Sequence, residues 1–509
     1  MQEYKPGQDA WVELKNGRFV DVVNGCYFDP NVSVILEGSK IRSMPGLPGE
    51  ADDIPPDFTI DLQGKTAIPG LFNTHTHIQM TLPSLLAGMK EIKLTKAYGP
   101  QQIAKNMADC LAHGVTNIRD TWTEDLWVNK TLKEKIFNGE MPGPRIFQAV
   151  LVSPLGSSFA PQRNFKDRLL FALMGMPQVD YGNVTSGVVT FPPDADTQTV
   201  RDAVNRAIDE RGADCIKIYE QREKRLSYKP GATIMSLNQL QALADQARRR
   251  GVLTTMHHTA VESFRRAVQT GVSSLAHLPI DALLTEADVK AFVAAGGIIE
   301  PTLSLAYYLC WNIKGYPCYD HPQIHKLTEF RNPTYPALAE EYWIPELRNS
   351  VIAGIEKANR GKTKLFGIMD LSSPFKYFAR IISVGIENLR RLVEQGACIA
   401  CANDAGAVPC TEAMIQHEFD LFTLFLTEAA DEKRLSRTDA LRIATINSAR
   451  AIGRENHFGS IQTGKTADLV IVDGDPFADI HVIGSRAAAL FMDGRLIINN
   501  CGLQVEPHK

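Results

Sequence analysis

The stretch that decides the fold is Pro69-Gly70-Leu71-Phe72-Asn73-Thr74-His75-Thr76-His77, an apolar run that ends in two histidines one residue apart. Residues i and i+2 of a strand point to the same side, so His75 and His77 can reach one metal ion together. Two imidazoles make only half of a metal site, and a lone motif of this kind is equally compatible with ordinary polar residues in a loop. The remainder of the chain has to decide between these two interpretations.

Beyond this motif, short apolar runs alternate with amphipathic stretches that end in glycine. This alternation is typical of a parallel sheet whose strands are joined by helices. We predict eight strands, near residues 68–74, 116–120, 145–150, 215–219, 252–257, 273–277, 297–302 and 398–403. An α/β chain with this number of units predicts a TIM-type (β/α)8 barrel, in which catalysis takes place at the carboxyl ends of the strands.

The two ends of the chain consist of short β-like runs between turn residues. Examples are Val32-Ser33-Val34-Ile35-Leu36-Glu37-Gly38 and Ala467-Asp468-Leu469-Val470-Ile471-Val472-Asp473. Such short strands cannot bury a hydrophobic face alone, so we predict one small β-sandwich built from both termini. The predicted domains are the β-sandwich at 1–66 and 456–509 and the barrel at 67–455, with insertions near 153–197 and 304–395.

Composition excludes several classes of function. The 509 residues are 44% hydrophobic and 22% charged with a formal net charge of −4, so no basic surface predicts binding to nucleic acid or to an anionic membrane. The polar N-terminus, and the lack of any apolar run of about 20 residues, predict neither a signal peptide nor a membrane span. The nine cysteines predict neither a disulfide scaffold nor a zinc knuckle, and we expect a reducing, cytoplasmic location.

A lysine in the predicted fourth strand is the next sign of chemistry. Lys217 lies in Ala213-Asp214-Cys215-Ile216-Lys217-Ile218-Tyr219, and burying an ammonium group without a partner is costly. The cost disappears if the amine is neutral and carboxylated by CO2, because the carbamate oxygens can bridge a pair of cations. The alternative is a lysine that extends to the rim or pairs with a nearby carboxylate.

Three further candidates follow other predicted strands. His257 ends Val252-Leu253-Thr254-Thr255-Met256-His257, His277 ends Ser274-Leu275-Ala276-His277, and Asp404 closes Ala400-Cys401-Ala402-Asn403-Asp404. Each alone has an ordinary interpretation, as a hydrogen-bonded core histidine or a loop aspartate. His258 is an alternative to His257, but neighbouring strand residues face opposite sides, so only one should enter the site. All these candidates would converge at one end of a barrel.

With these residues in place, the chain resembles the amidohydrolase superfamily, in particular its imidazolonepropionase-like and prolidase-like members. The resemblance covers nearly the whole chain apart from the two insertions, and its motifs are specific in combination. Besides the strands already quoted, the matching stretches are Asp61-Leu62-Gln63-Gly64-Lys65, Gly114-Val115-Thr116-Asn117-Ile118-Arg119-Asp120, Pro301-Thr302-Leu303, Asn403-Asp404-Ala405-Gly406 and Gly459-Ser460-Ile461-Gln462-Thr463-Gly464. Asn403 is a departure, because related sequences usually carry threonine before the aspartate.

The resemblance implies a binuclear metal centre. The implied ligands are His75, His77 and Asp404 for the buried cation, His257 and His277 for the outer one, and a carboxylated Lys217 as the bridge. A pair of divalent cations lowers the pKa of a shared water and gives a metal-bridging hydroxide. Asp404 would act as general base and then as acid, while Tyr219 could donate to the oxyanion or simply pack at the rim. Zinc suits these ligands, and manganese, cobalt or iron would also fit.

The implied reaction is hydrolysis of a C–N bond in a small molecule such as an amide, dipeptide, urea or cyclic amide. One alternative is a mononuclear cyclic-amide hydrolase or deaminase, in which a glutamate commonly follows the fifth-strand histidine. Here Glu262 falls in the following helix, which together with Lys217 favours two metals. A non-catalytic scaffold is disfavoured because every implied ligand is present. Related proteins commonly form homo-oligomers, and the aromatic residues of the 304–395 insertion suggest either a partly apolar substrate or a core of their own.

Overall fold

The central sheet of the protein is parallel, and its barrel strands follow one another in chain order. A computed structural model describes residues 10–50, 55–81, 89–161, 180–222, 233–310, 321–359, 364–365, 369–370, 379–426 and 435–508. From first to eighth, the barrel strands are Leu71–Thr76, Val115–Asp120, Arg145–Pro154, Cys215–Tyr219, Leu253–His257, Ser274–Ala276, Ile298–Glu300 and Cys398–Ile399. Each predicted strand overlaps an observed one.

The sheet closes on itself between the first and the eighth segment. Thr74 N donates to Cys401 O at 2.8 Å, and Asp404 N donates to His75 O at 3.0 Å. The extra strand Val188–Phe191 pairs in parallel with the end of the third strand, inside the insertion predicted near 153–197. These contacts confirm the predicted TIM-type barrel.

Helices separate the barrel strands and fill the second insertion. The described α-helices are Met89–Ala112, Leu126–Phe137, Thr197–Asp209, Leu237–Arg249, Val261–Thr270, Glu286–Ala294, Ser304–Leu309, Pro322–Tyr342, Pro345–Asn359, Ile386–Glu394, Ile415–Leu426, Arg437–Ala444 and Ile446–Ala451. A capping box marks the start of the helix Leu237–Arg249, where Ser236 Oγ accepts from Gln239 N and Gln239 Oε1 accepts from Ser236 N. Helix Leu237–Arg249 then buries Leu240 and Leu243 against the barrel.

Strands from both termini form two further sheets. One has the order Val505–Pro507, Phe58–Asp61, Trp11–Lys15, Val34–Glu37 and Lys40–Ser43, and the other has the order Arg495–Asn499, Ala489–Met492, Leu469–Val472, Thr66–Pro69, Arg18–Asp21 and Cys26–Tyr27. Buried side chains of both sheets, among them Leu14, Leu36, Leu469 and Phe491, share one hydrophobic core. The fold is therefore the predicted barrel with a small β-sandwich built from both ends of the chain.

The chain passes from the β-sandwich into the barrel at Gly70. The predicted strand 68–74 is in fact divided, because Thr66–Pro69 belongs to the β-sandwich and the barrel strand starts directly after the glycine. A Cβ atom at position 70 would lie 2.3 Å from Thr116 Oγ1 and 2.9 Å from Asp468 Cβ. The close approach of these two neighbours leaves room only for glycine, which the apolar run alone does not reveal.

We expect Gly70→Ala to lower the free energy of unfolding by about 1–3 kcal/mol, because the added methyl group forces the packed neighbours to shift. Gly182→Ala is a matched control, since a Cβ there would meet Asp180 Oδ1 at 3.2 Å on an exposed turn. Urea denaturation followed by circular dichroism measures both variants. A Gly70→Ala midpoint equal to that of wild type would contradict this account of the junction.

Two further observations concern membrane spans and cysteines. No described helix is both long and apolar enough to cross a membrane. The described cysteines are free thiols, including Cys398 and Cys401, which have C-x-x-C spacing at the eighth strand.

Candidate metal centre

The predicted ligands lie toward the carboxyl-terminal end of the barrel. His75 is near the end of the first strand and His77 just beyond it, Lys217 is within the fourth strand, His257 ends the fifth, His277 follows the sixth and Asp404 follows the eighth. All of them are buried except His257, which is partly exposed. The barrel thus brings residues from distant parts of the chain to one end of the sheet.

Two histidines and an aspartate converge most closely. Asp404 Oδ1 lies 3.2 Å from His77 Nε2 and 3.5 Å from His75 Nε2, and one ligand atom of each residue falls within 4.8 Å of the others. Asn403 holds the loop, because its Oδ1 accepts from Asn73 Nδ2 at 2.8 Å. Burial alone raises the pKa of Asp404, but its contact with His77 and the proximity of His277 and Lys217 outweigh burial and lower this pKa. The carboxylate form needed for a ligand therefore prevails.

The other two histidines border the same centre. The ring centroid of His277 lies 5.2 Å from that of His75 and 4.6 Å from that of His257. Burial lowers the pKa of His277 to about 4 and those of His75 and His257 well below 6.5. All three rings are therefore neutral near pH 7, the form that binds metals. His258 has a different environment, since its Nδ1 lies 2.9 Å from Ala276 O.

Lys217 is enclosed by the barrel. Its side chain belongs to a residue only 4% exposed, so it does not extend to the rim. Among the described residues, no carboxylate oxygen lies within the 4.0 Å of its amine that would make an ion pair. Burial lowers the pKa of Lys217 to about 8, against the opposing charges of Glu300 and Asp404. A fraction of the amine is therefore neutral at pH 7, and the neutral amine is the form that reacts with CO2.

Each of the four imidazoles has one nitrogen facing a partner outside the centre. The pairs are His77 Nδ1 with Trp122 O at 3.2 Å, His277 Nδ1 with Thr302 Oγ1 at 2.7 Å, His257 Nε2 with Gln221 Oε1 at 2.7 Å, and His75 Nδ1 with Glu300 Oε2 at 3.5 Å. An outer partner of this kind can fix a ring and its tautomer, which makes the other nitrogen available to a metal. The first three pairs are within hydrogen-bond distance, whereas His75 Nδ1 has no hydrogen-bond partner among the described residues.

Backbone strain is concentrated at this end of the barrel. His277, Thr302 and Asp404 have positive φ angles of 70°, 49° and 55°. For a residue other than glycine, this left-handed backbone conformation costs about 1–2 kcal/mol, so it persists only where the surrounding structure imposes it. Two of the three are predicted ligands, and the third hydrogen-bonds to a ligand ring.

Two buried charged residues behind the predicted ligands were not predicted from the sequence. Glu300 ends the apolar seventh strand, Arg119 lies in the second strand, and both are 0% exposed. A charged residue within an apolar strand was the signal that identified Lys217, so the same signal was available for both. Gln221 and Thr302 lie beyond strand ends, where polar residues are ordinary and carry no signal.

An aromatic band lies beside the centre. Tyr219 stacks on His257 with ring centroids 4.2 Å apart and an interplanar angle of 17°. Phe159 lies 4.2 Å from Tyr219 and 5.2 Å from Trp122, again between ring centroids. All three aromatic residues of the band are partly exposed. A phenol at this position is near the centre, and its catalytic role stays a prediction.

The aromatic residues of the 304–395 insertion have another role. Tyr307 and Tyr335 are buried, with ring centroids 4.8 Å apart. Trp311 and Tyr319 lie outside the described residues. Tyr307 and Tyr335 therefore pack against each other, while Tyr342 packs against His113, outside the insertion.

Comparison with known proteins relates this chain to enzymes. The model of the amidohydrolase family matches residues 66–497. Over 116 residues the chain is 32% identical to an imidazolonepropionase of Geobacillus thermodenitrificans, a match that covers 22% of this chain and 25% of that enzyme. The chain thus spans about a quarter of the length of the curated relatives that it matches.

Solved structures share the fold over nearly the whole chain. A prolidase complexed with N-methylphosphonate-L-proline has a TM-score of 0.64 and 21% identity, covering 96% of this chain and 100% of that one. A Xaa-Pro dipeptidase with bound methionine in the active site has a TM-score of 0.63 and 20% identity, covering 96% and 99%. At these identities the likeness shows the fold.

Proposed function

The chain belongs to the amidohydrolase family, and from that premise we propose that it is a metal-dependent hydrolase that cleaves a C–N bond of an amide or peptide-like small molecule. The observation that carries the proposal is the arrangement of the four imidazoles, each of which has one nitrogen facing a partner outside the centre. The proposed ligands are His75, His77 and Asp404 for one cation, His257 and His277 for a second, and a carboxylated Lys217 between them.

The donor set fits a pair of divalent cations. Neutral imidazoles and a carboxylate are the nitrogen and oxygen ligands that zinc takes, and they also suit manganese, cobalt or iron. Lys217 supports the second cation, because a buried amine with a lowered pKa and no ion-pair partner among the described residues is suited to become a carbamate. We propose zinc as the metal.

The chain's own groups would handle proton transfer. Two bound cations would supply Lewis acidity and a water acidic enough to attack as hydroxide near neutral pH. Asp404, ionised and 4% exposed, would accept the proton of the attacking water and return it to the leaving nitrogen. Tyr219, stacked on His257, would donate a hydrogen bond to the oxyanion that develops on the carbonyl.

The single-metal alternative finds less support. Its glutamate would have to come from the segment after His257, where Glu262 lies in the first turn of the helix Val261–Thr270. The Glu262 side chain is 64% exposed and pairs with Arg222 at 2.8 Å. A surface ion pair does not supply the buried acid that proton transfer to a cyclic amide or an amine needs. The similarity to imidazolonepropionases and to a prolidase supports hydrolysis of a C–N bond.

Metal analysis with and without bicarbonate tests the proposal. We expect protein stripped by a chelator and reloaded with zinc in bicarbonate buffer to hold about two ions per chain and to hydrolyse amides or dipeptides in a substrate screen. Reloading in CO2-free buffer should lower both the metal content and the rate, because the carbamate cannot form. One ion per chain under both conditions would establish the single-metal alternative, and no retained metal would indicate a scaffold protein.

A further inference from the structure

A fully buried ion pair lies behind the first-strand ligands. Arg119 and Glu300 are both 0% exposed, and Arg119 Nη2 contacts Glu300 Oε1. The guanidinium is also fixed by backbone carbonyls, since Nε donates to Thr74 O at 2.8 Å and Nη1 donates to Ala451 O at 2.9 Å. Arg119 thus holds one carboxylate oxygen of Glu300 in a set position.

The second oxygen of Glu300 faces a predicted ligand. Glu300 Oε2 has no hydrogen-bond partner among the described residues, and neither has His75 Nδ1, yet the two atoms lie 3.5 Å apart. Both groups are buried, so no bulk water can satisfy them. A small movement of the His75 ring would bring these two atoms into hydrogen-bond distance of each other.

A cation bound at Asp404 would select one tautomer of His75. The two ring nitrogens each lie 3.5 Å from a buried carboxylate oxygen, Nδ1 from Glu300 Oε2 and Nε2 from Asp404 Oδ1, so either tautomer alone leaves one lone pair facing a carboxylate. A cation between Nε2 and Asp404 would take up the Nε2 lone pair, and the proton would then lie on Nδ1 and be donated to Glu300 Oε2. A carboxylate behind a histidine ligand also raises the basicity of the nitrogen that binds the metal.

We propose that Glu300, anchored by Arg119, is a positioning residue that orients His75 and fixes its proton on Nδ1 for metal binding. This rests on the proposed function, because it takes a divalent cation as the partner of His75 Nε2. Glu300 and Arg119 are not proposed as ligands or as catalytic residues.

The competing explanation is that the Arg119–Glu300 ion pair serves only to stabilise the barrel. Substitutions at these two positions distinguish that explanation from the positioning role. Glu300→Gln keeps the shape of the side chain but removes the charge, and Glu300→Gln with Arg119→Gln removes the buried pair without leaving one charge alone. We expect the zinc dissociation constant, measured by competition with a chromophoric chelator, to rise about 10–100-fold in both. Glu418→Gln is the matched control, since this 0% exposed glutamate accepts from Leu303 N and Ser304 N instead.

The results distinguish failure of this inference from failure of the proposed function. A wild-type protein that binds no zinc would overturn the proposed function and this inference with it. A wild-type protein that binds zinc, beside a folded double variant of equal affinity, would overturn only the positioning role.

A measurement on wild type covers the case in which neither variant folds. In zinc-loaded protein labelled with 15N-histidine, long-range 1H–15N spectra should show the His75 proton on Nδ1, with His75→Gln providing the assignment. A proton on Nε2 would overturn the inference.

Discussion

Lys217→Ala is expected to reduce kcat/KM by about 10³-fold or more and to lower the metal content from about two ions per chain toward one. The reason is that a metal ion supplies several kcal/mol of transition-state stabilisation, and about 1.4 kcal/mol corresponds to a factor of ten. In the proposed centre, Lys217 is the ligand that would contact both cations. Inductively coupled plasma mass spectrometry gives the metal content, and steady-state kinetics on the best substrate of a screen gives the rate.

The matched control is Lys290→Ala. Lys290 is an exposed lysine that pairs with Glu286 at 2.5 Å on a surface helix, so wild-type metal content and kinetics are expected. Added acetate should restore part of the Lys217→Ala rate, because a carboxylate can occupy the space left by the carbamate. Turnover by Lys217→Ala at the wild-type rate would remove the bridging lysine from the mechanism.

Asp404→Asn is expected to lower kcat by about 10²–10⁴-fold, the range that general acid–base catalysis contributes. Asparagine nearly preserves the shape of the side chain but cannot accept the proton of the attacking water. Because an amide oxygen is also a weaker ligand than a carboxylate, metal content has to be measured on the same samples. Reloading at saturating zinc then allows kcat to be compared at equal occupancy.

Asp209→Asn serves as the control for Asp404→Asn. Asp209 ends the helix Thr197–Asp209, where its exposed side chain pairs with Arg250 at 2.6 Å, and it is not a proposed ligand. Its loss should leave kcat unchanged. If Asp404→Asn at full metal occupancy also kept the wild-type kcat, another group would have to carry the proton.

The sequence predicted the barrel and the ends of its strands because both depend on local periodicity. Apolar runs marked each strand, and chemically unusual residues within the strands or at their ends, such as Lys217 and His257, marked the predicted centre. Glu300 offered the same signal as Lys217 but was not singled out, because one acidic residue at a strand end has many ordinary explanations.

Features that depend on atoms from distant segments could not be predicted. The division of the first strand at Gly70 follows from the close approach of Thr116 and Asp468, which no local pattern encodes. The hydrogen bond between His257 and Gln221 likewise depends on how two neighbouring strands end. Such contacts are tertiary, and a single sequence shows only which residues are available for them.

The left-handed backbone at His277, Thr302 and Asp404 has a consequence for laboratory evolution. Glycine relieves this conformational penalty without a steric clash of its own, so a selection that rewards heat resistance alone should enrich glycine at these positions. The most heat-resistant variants would then be those that have lost the proposed ligands His277 or Asp404, or Thr302, which hydrogen-bonds to His277. A more heat-resistant enzyme that stays active would therefore need substitutions at other positions, with the residues at 277, 302 and 404 retained.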